Sequence, residues 1–196
     1  LLFGQGVIIA HAEKELLEFL EKTGIPAAWT LLGLSALNSD HPLNVGMLGM
    51  HGNYGPNLLT NEADLIIAAG MRFDDRVTGK VAAYAKQAKI IHLEIDPAEI
   101  NKIIKADVAV LGNVKKSLEM LIGNVNENNH NEWIQRFKDC DKIENEKIIQ
   151  KDLFPVKPGL TMGEAIRIVT DETKHEAILV TDVGQHQMIA SRYFKF

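Results

Sequence analysis

Asp64-Leu65-Ile66-Ile67-Ala68-Ala69-Gly70-Met71-Arg72-Phe73-Asp74-Asp75-Arg76-Val77-Thr78-Gly79 is the stretch whose reading decides the fold. Its first part is a short unbroken apolar run, the pattern of a parallel strand buried on both faces. The run stops at Gly70, and a loop with two arginines and two aspartates follows at what would be the strand's carboxyl end. In open α/β sheets, ligands bind at that end. Two guanidinium forks suit a pyrophosphate, with Asp74 and Asp75 orienting them or accepting ribose hydroxyls. A solvated loop of mutually neutralising ion pairs reads from the same residues equally well, and would add little stability.

Upstream, Leu1–Phe3 ends another buried strand, and Gly4-Gln5-Gly6 turns from it into a helix. Ala12, Leu16, Phe19 and Leu20 give that helix one apolar stripe. Gly24 stands where a helix C-cap belongs, and Ile25–Trp29 reads as the next strand. Residues 30–55 scatter Gly, Asn, Asp and Pro without periodicity, so they read as loop with one helical turn at most, before a short helix over 57–63. Downstream, Lys89–Asp96 is a strand with Ile91, Leu93 and Ile95 on one face and Ile90, His92, Glu94 and Asp96 on the other. Val108–Leu111 is a further strand, and Val114, Leu118, Leu121 and Ile122 repeat at helical spacing after it. Strands alternating with helices predict an α/β fold: a doubly wound, Rossmann-like parallel sheet with helices on both faces.

Beyond Asn124 the pattern changes. An Asn-rich polar stretch leads into an amphipathic helix through Trp133, Phe137 and Cys140, then into Pro155-Val156-Lys157-Pro158-Gly159. A helix with Met162, Ala165, Ile166 and Val169 turned inward follows, then a strand Ala177–Thr181 and the turn Asp182-Val183-Gly184. The chain thus divides into a central α/β domain over 1–123, a linker with an amphipathic helix over 124–158, and the truncated start of a second α/β domain over 159–196. Leu1 opens the chain without Met, and the aromatic cluster Tyr193, Phe194 and Phe196 closes it, which gives the expectation of a piece from a longer protein.

With a net charge of −5, the 196-residue chain is not a nucleic-acid binder of the clustered-basic kind. No apolar run approaches a membrane span and no signal peptide is visible. Cys140 stands alone, so no internal disulfide forms, and a reducing bacterial cytoplasm is the natural compartment. No CxxC, HxH or HExxH spacing offers a metal site and no GxSxG a nucleophile, while Cys140 lies in a helical stripe and reads as packing.

Four other segments suit ligands. Gly4 and Gly6 precede a helix, whose N-terminal amides favour an anion, although Ile9 stands where a dinucleotide fingerprint has its third glycine. A tight turn with no ligand accounts for them as well. Leu48-Gly49-Met50-His51-Gly52 allows close approach to a flat ligand, or is a flexible turn with a surface imidazole. Glu94 and Asp96 end a strand at a position suited to ribose or ribityl hydroxyls, or begin a turn at Pro97. Gly184-Gln185-His186-Gln187-Met188 follows the last strand and could meet a diphosphate, or cap a surface helix.

Taken in order, these segments resemble the FAD-containing acetohydroxyacid (acetolactate) synthases. The resemblance is carried by Gly4–Val7, Thr30-Leu31 before Gly33-Leu34, His41-Pro42-Leu43 and Gly46–Gly52. It continues through Arg72–Gly79, Glu94–Ile100 and Thr181–Met188, and is weakest between 124 and 158. The Arg-Phe-Asp-Asp-Arg-Val-Thr-Gly string marks the FAD-type members among thiamine diphosphate enzymes. The resemblance implies a carboligase that decarboxylates pyruvate and joins the two-carbon unit to a second 2-ketoacid, giving acetolactate or acetohydroxybutyrate for branched-chain amino acids. It implies thiamine diphosphate with Mg2+, FAD in a role without net redox work, a homodimer of catalytic subunits and a possible regulatory small subunit. Under it, Gly4, Gly6, Thr30, Leu31, Leu48, Gly49, Met50, His51, Gly70, Arg72, Asp74, Arg76, Val77, Glu94, Ile95 and Asn113 would line FAD. Gly184, Gln185 and His186 would touch thiamine diphosphate, with Gln187 and Met188 between the two cofactors.

Three positions depart from the family pattern: Gln5 replaces a glycine, Asn113 an aspartate and Ile189 a tryptophan. The Gly-Asp-Gly…Asn metal motif and the glutamate that activates thiamine do not occur in the chain. The expectation is therefore that these 196 residues alone are inactive. A non-catalytic FAD- or NAD-binding module is the alternative, and an NAD-dependent enzyme is disfavoured by the broken glycine fingerprint.

Overall fold

A computed structural model describes residues 1–156 and 158–195. Six parallel strands form one sheet: β1 (Leu2–Phe3), β2 (Ala27–Trp29), β3 (Asn44–Met47), β4 (Leu65–Ala69), β5 (Lys89–Glu94) and β6 (Val108–Leu111). Their order is β3-β2-β1-β4-β5-β6. The chain therefore starts in the middle, winds outward to β3, then crosses to the other side of β1 and winds outward to β6. That reversal falls between β1 and β4, where Leu2 pairs with Ala68 and Phe3 with Ala69.

Helices cover both faces because adjacent strand residues point to opposite sides. Phe3, Trp29, Ile67, Ala69 and Leu93 pack on one side with Val7 of α1 (Gln5–Ile9), Leu16, Phe19 and Leu20 of α2 (Glu13–Thr23), and Leu118 of α5 (Val114–Asn124). Leu2, Ala28, Ile66, Ala68 and Ile90 pack on the other with Leu59 of α3 (Tyr54–Thr60) and Phe137 and Cys140 of α6 (Asn131–Glu144). Each fully buried Leu or Phe adds about 1.5–3 kcal/mol, so this double core is what holds the strand ends in place. The doubly wound α/β class read from the sequence is the class observed.

Several expectations change. The first helix breaks in two: His11 takes a positive φ of 50° and Ala12 becomes the N-cap of α2, so the apolar stripe belongs mostly to the second piece. Within the expected loop of 30–55 lies strand β3. Asn44-Val45-Gly46-Met47 carries a polar residue and a positive-φ glycine, so nothing in its pattern announces a strand, and a shifted register on β2 shows the irregularity. The strand expected over 177–181 does not form. No second sheet exists among the described residues to complete its ladder, and Ile178 and Val180 remain 93% and 86% exposed. The inward stripe expected on α8 (Met162–Glu172) is only half met: Met162 and Val169 are exposed, Ala165 and Ile166 are half-buried, and Gly163 and Thr170 are buried. This helix packs chiefly on α7 (Gln150–Leu153) and α9 (Gln185–Tyr193), which cover its other side.

The segment after α6 is fastened by Glu144, a buried carboxylate that accepts from Asn53 Nδ2 at 3.2 Å and the Tyr54 amide at 3.1 Å. Arg192 of α9 closes an ion pair on the same carboxylate.

Candidate functional site

The six strands end together, and the residue after β1, β2, β3, β4 and β6 extends the ladder by one bond. Leu48 N donates to Trp29 O at 3.0 Å, Thr30 N to Phe3 O at 2.9 Å and Gly4 N to Ala69 O at 3.1 Å. Gly70 N donates to Leu93 O and Gly112 N to Glu94 O, both at 2.9 Å. All the residues singled out from Gly4 to Asn113 therefore lie along one carboxyl edge, on either side of the point where the winding reverses. Open sheets bind ligands at that kind of crevice.

At its centre the β1 and β4 turns touch through their glycines. A Cβ on Gly6 would lie 2.6 Å from Gly70 Cα, and one on Gly4 2.7 Å from Gly70 O. Gly70 itself has a φ of +56°. The anion reading of the Gly4–Gly6 turn changes accordingly: the Gly4 and Gly6 amides are bound to Ala69 O and Gly70 O, so neither is free for a phosphate. Gln5 between them is exposed, so the side chain there displaces nothing.

The loop after β4 supplies the positive charge. Asp74 caps the short helix α4 (Asp75–Thr78), accepting from Arg76 N at 3.1 Å and Val77 N at 3.2 Å. Its other oxygen pairs with Arg72 at 3.4 Å, a loose and exposed contact. Arg76 forms no ion pair among the described residues; Nη1 reaches only Met50 Sδ, at 3.6 Å. The loop is thus not a set of neutralised pairs, since one guanidinium fork is left open for an anion. The Met50 contact, with Met50 N donating to Arg76 O at 2.7 Å, ties the β3 loop to the β4 loop.

Asn57 holds the β3 loop from below: Gly49 N donates to its Oδ1 at 2.8 Å and its Nδ2 donates to Gly49 O at 2.9 Å. No periodicity marks such a residue, so reasoning from sequence misses it. Glu94 divides its labour. Oε1 accepts from Ile95 N at 2.8 Å and Asp96 N at 3.1 Å, while Oε2 accepts no hydrogen bond among the described residues and stands 3.8 Å from His92 Nε2. A ligand hydroxyl could therefore donate to Oε2. Asn113 caps α5 by accepting from Lys115 N at 2.9 Å. Leu31, Met50 and Ile95 are exposed apolar side chains on this edge, and His51 is exposed beside them.

A cavity of about 270 Å³ opens between the β3 and β4 loops, lined among others by Leu48, Met50, Asn57, Arg76, Val77 and Tyr84. The Tyr84 hydroxyl is buried without a partner among the described residues, and burial pushes the phenol well above its usual range. A larger cavity of about 690 Å³, lined by Leu1, Pro26, Leu65 and Trp133, lies at the amino ends of the strands, away from the convergent polar groups.

Gly184, Gln185, His186, Gln187 and Met188 form the N-cap and first turn of α9, a separate group on a different element. That helix packs on α8, joins α6 through Arg192, and its trailing Lys195 meets Asp40 at 2.7 Å. Among the described residues no cluster of three His, Cys, Asp or Glu could hold a metal, and no helix is long and apolar enough to cross a membrane.

Residues 1–121 match the family model described as the thiamine pyrophosphate enzyme, central domain. The chain is 36% identical over its whole length to a probable acetolactate synthase large subunit from Methanococcus aeolicus, covering 35% of that protein. It is 40% identical to the acetolactate synthase isozyme 2 large subunit of Escherichia coli K12, over 98% of the chain and 34% of the relative. Against the chloroplastic acetolactate synthase 1 of Oryza sativa the identity is 43%, over 93% of the chain and 28% of the relative. The chain spans about a third of the length of these relatives.

Proposed function

The chain belongs to the thiamine pyrophosphate enzyme central-domain family, and from that premise we propose that it is the FAD-binding part of an acetolactate synthase large subunit. The observation that carries the reading is the convergence of six strand ends on a crevice with an open guanidinium at Arg76 and an open carboxylate oxygen at Glu94. Arg76, helped by Arg72, would hold the FAD pyrophosphate. Glu94 Oε2 would accept from a ribose or ribityl hydroxyl. Leu31, Met50 and Ile95 would lie against the flat apolar part, and the Gly49–His51 turn would let backbone approach it. Gly4, Gly6 and Gly70 would shape the crevice floor; Thr30, Leu48, Val77 and Asn113 would border it.

In a full-length subunit, thiamine diphosphate held with Mg2+ would supply the nucleophilic carbon and electron sink for decarboxylating a 2-ketoacid. The residues of this chain position FAD beside that chemistry, and Gly184–His186 would contribute to the diphosphate site, with Gln187 and Met188 between the cofactors. The substrates would be 2-ketoacids, two pyruvates or pyruvate with 2-ketobutyrate, and the acting unit a dimer of catalytic subunits. The acidic chain carries no basic stripe for nucleic acid.

The test is thermal stabilisation of the chain by FAD, NAD and thiamine diphosphate separately. A ligand at about 100 times its Kd adds roughly 2.7 kcal/mol, which a melting curve resolves. FAD stabilising at micromolar concentration supports the proposal. NAD stabilising in place of FAD would overturn it.

A further inference from the structure

The geometry points to His92 as a positioning residue that fixes the arginine-bearing loop against Glu94. The inference rests on the FAD reading for its consequence, not for its geometry. His92 lies in the middle of β5, pairs with Ala68 of β4 and is completely buried. Its Nε2 donates to Met71 O at 2.9 Å; a carbonyl only accepts, so the hydrogen is on that nitrogen. Met71 stands two residues past β4, at the root of the loop that presents Arg72, Asp74 and Arg76.

Among the described residues this is the single hydrogen bond that the backbone of Met71, Arg72 and Phe73 makes. The same imidazole meets the Phe73 ring edge-on, with centroids 5.2 Å apart and planes at 71°. Its Nε2 is also 3.8 Å from Glu94 Oε2. One buried ring therefore touches the start of the loop, its aromatic anchor and the carboxylate opposite.

The other ring nitrogen, Nδ1, is buried without a partner among the described residues. A phenyl ring would fill this core position and leave no nitrogen unpaired. What it could not do is donate to Met71 O, and without that donor the Met71–Phe73 backbone is held by packing alone. An unmade bond at a buried carbonyl is costly, so the loop would leave the position that aims Arg76 at the crevice.

The test compares His92→Phe, His92→Gln and Leu118→Ala in the 196-residue chain, measuring the FAD dissociation constant below each variant's melting point. His92→Phe is expected to raise it about tenfold through the lost hydrogen bond. His92→Gln, whose Nε2 reaches the same place, should stay within about threefold of the native chain. Leu118→Ala truncates a buried side chain on the opposite face; it should lower stability and leave FAD affinity unchanged. An unchanged FAD affinity in His92→Phe, or a rise matched by Leu118→Ala, overturns the inference. If the native chain itself binds no FAD, the proposed function fails instead, and amide hydrogen exchange decides about His92. Faster exchange confined to residues 71–77 in His92→Phe upholds its positioning role, and unchanged exchange there refutes it.

Discussion

Replacing Gly6 by alanine pits two effects of opposite sign against each other. Gly6 lies in α1 with an ordinary helical φ, so propensity alone favours alanine by about 0.5–1 kcal/mol. The packing says otherwise. The new methyl would stand 2.6 Å from Gly70 Cα and 2.8 Å from Gly70 O, where ordinary contact begins near 3.4 Å. Gly70 has little room to withdraw: its amide is bound to Leu93 O and its φ of +56° already lies in the left-handed region that favours glycine. Forcing the β1 and β4 turns apart costs about 1–3 kcal/mol by analogy with overpacked cores, leaving a net loss of up to about 2.5 kcal/mol. Gly123 is the matched control, a helical glycine of α5 where an added methyl would find nothing within 4 Å. Gly123→Ala should gain up to about 1 kcal/mol. Urea unfolding followed by tryptophan fluorescence reads both, with midpoints moving in opposite directions by a few tenths of a molar at ordinary slopes. A Gly6→Ala midpoint that rises with that of Gly123→Ala would refute the claim that the two turns meet through these glycines.

Arg76→Ala should weaken FAD binding by about ten- to a hundredfold, the loss of a charge-assisted contact, and leave the urea midpoint unchanged because among the described residues the guanidinium bonds only to Met50. A change below threefold in a flavin-fluorescence titration counts against the pyrophosphate role. Glu144→Ala removes the partner of Asn53, Tyr54 and the half-buried Arg192 together, with an expected loss of about 3–5 kcal/mol by urea unfolding. Desolvation, and then the neighbouring Glu144, push the Asp141 carboxyl up to about 6. The folded chain then binds this proton more tightly than the unfolded chain, so stability falls as pH rises between about 4 and 6. Asp141→Asn should flatten that part of the stability–pH curve, and a curve of unchanged slope would remove Asp141 as its source.

Most of the sheet was legible because β1, β2, β4, β5 and β6 carry apolar residues on both faces, which leaves an unmistakable run in the sequence. Strand β3 was not, since Asn44 and Gly46 serve the turn geometry and only Val45 and Met47 pack. The arginine loop could be placed at a strand end from the sequence, but not the state of its charges. That Asp74 is engaged as a helix cap and Arg76 is left open depends on loop conformation. Asn57 and His92 were invisible as site residues for the same reason: each acts on a backbone carbonyl or amide brought near by the fold. After α6 the pattern misleads. The run 177–181 has the composition of a buried strand, yet pairing is a property of neighbours, and no other strand of the described residues lies beside it.

The order of the strands also decides how this crevice can hold an anion. Reversal of winding between β1 and β4 brings two glycine turns together, and their amides close on each other, Gly4 N on Ala69 O and Gly6 N on Gly70 O. A phosphate cradle built from those amides is thereby excluded, and the glycines at 4, 6 and 70 answer to the approach of two backbones. Positive charge must then come from side chains, and those at the crevice are Arg72 and Arg76 on the loop after β4. This also accounts for Gln5: the residue between the two packed glycines faces solvent, so a side chain there disturbs neither the turn contact nor the arginines. A site organised in this way depends on the loop that aims its arginines, and that loop is held by a helix cap at one end and a buried imidazole at the other.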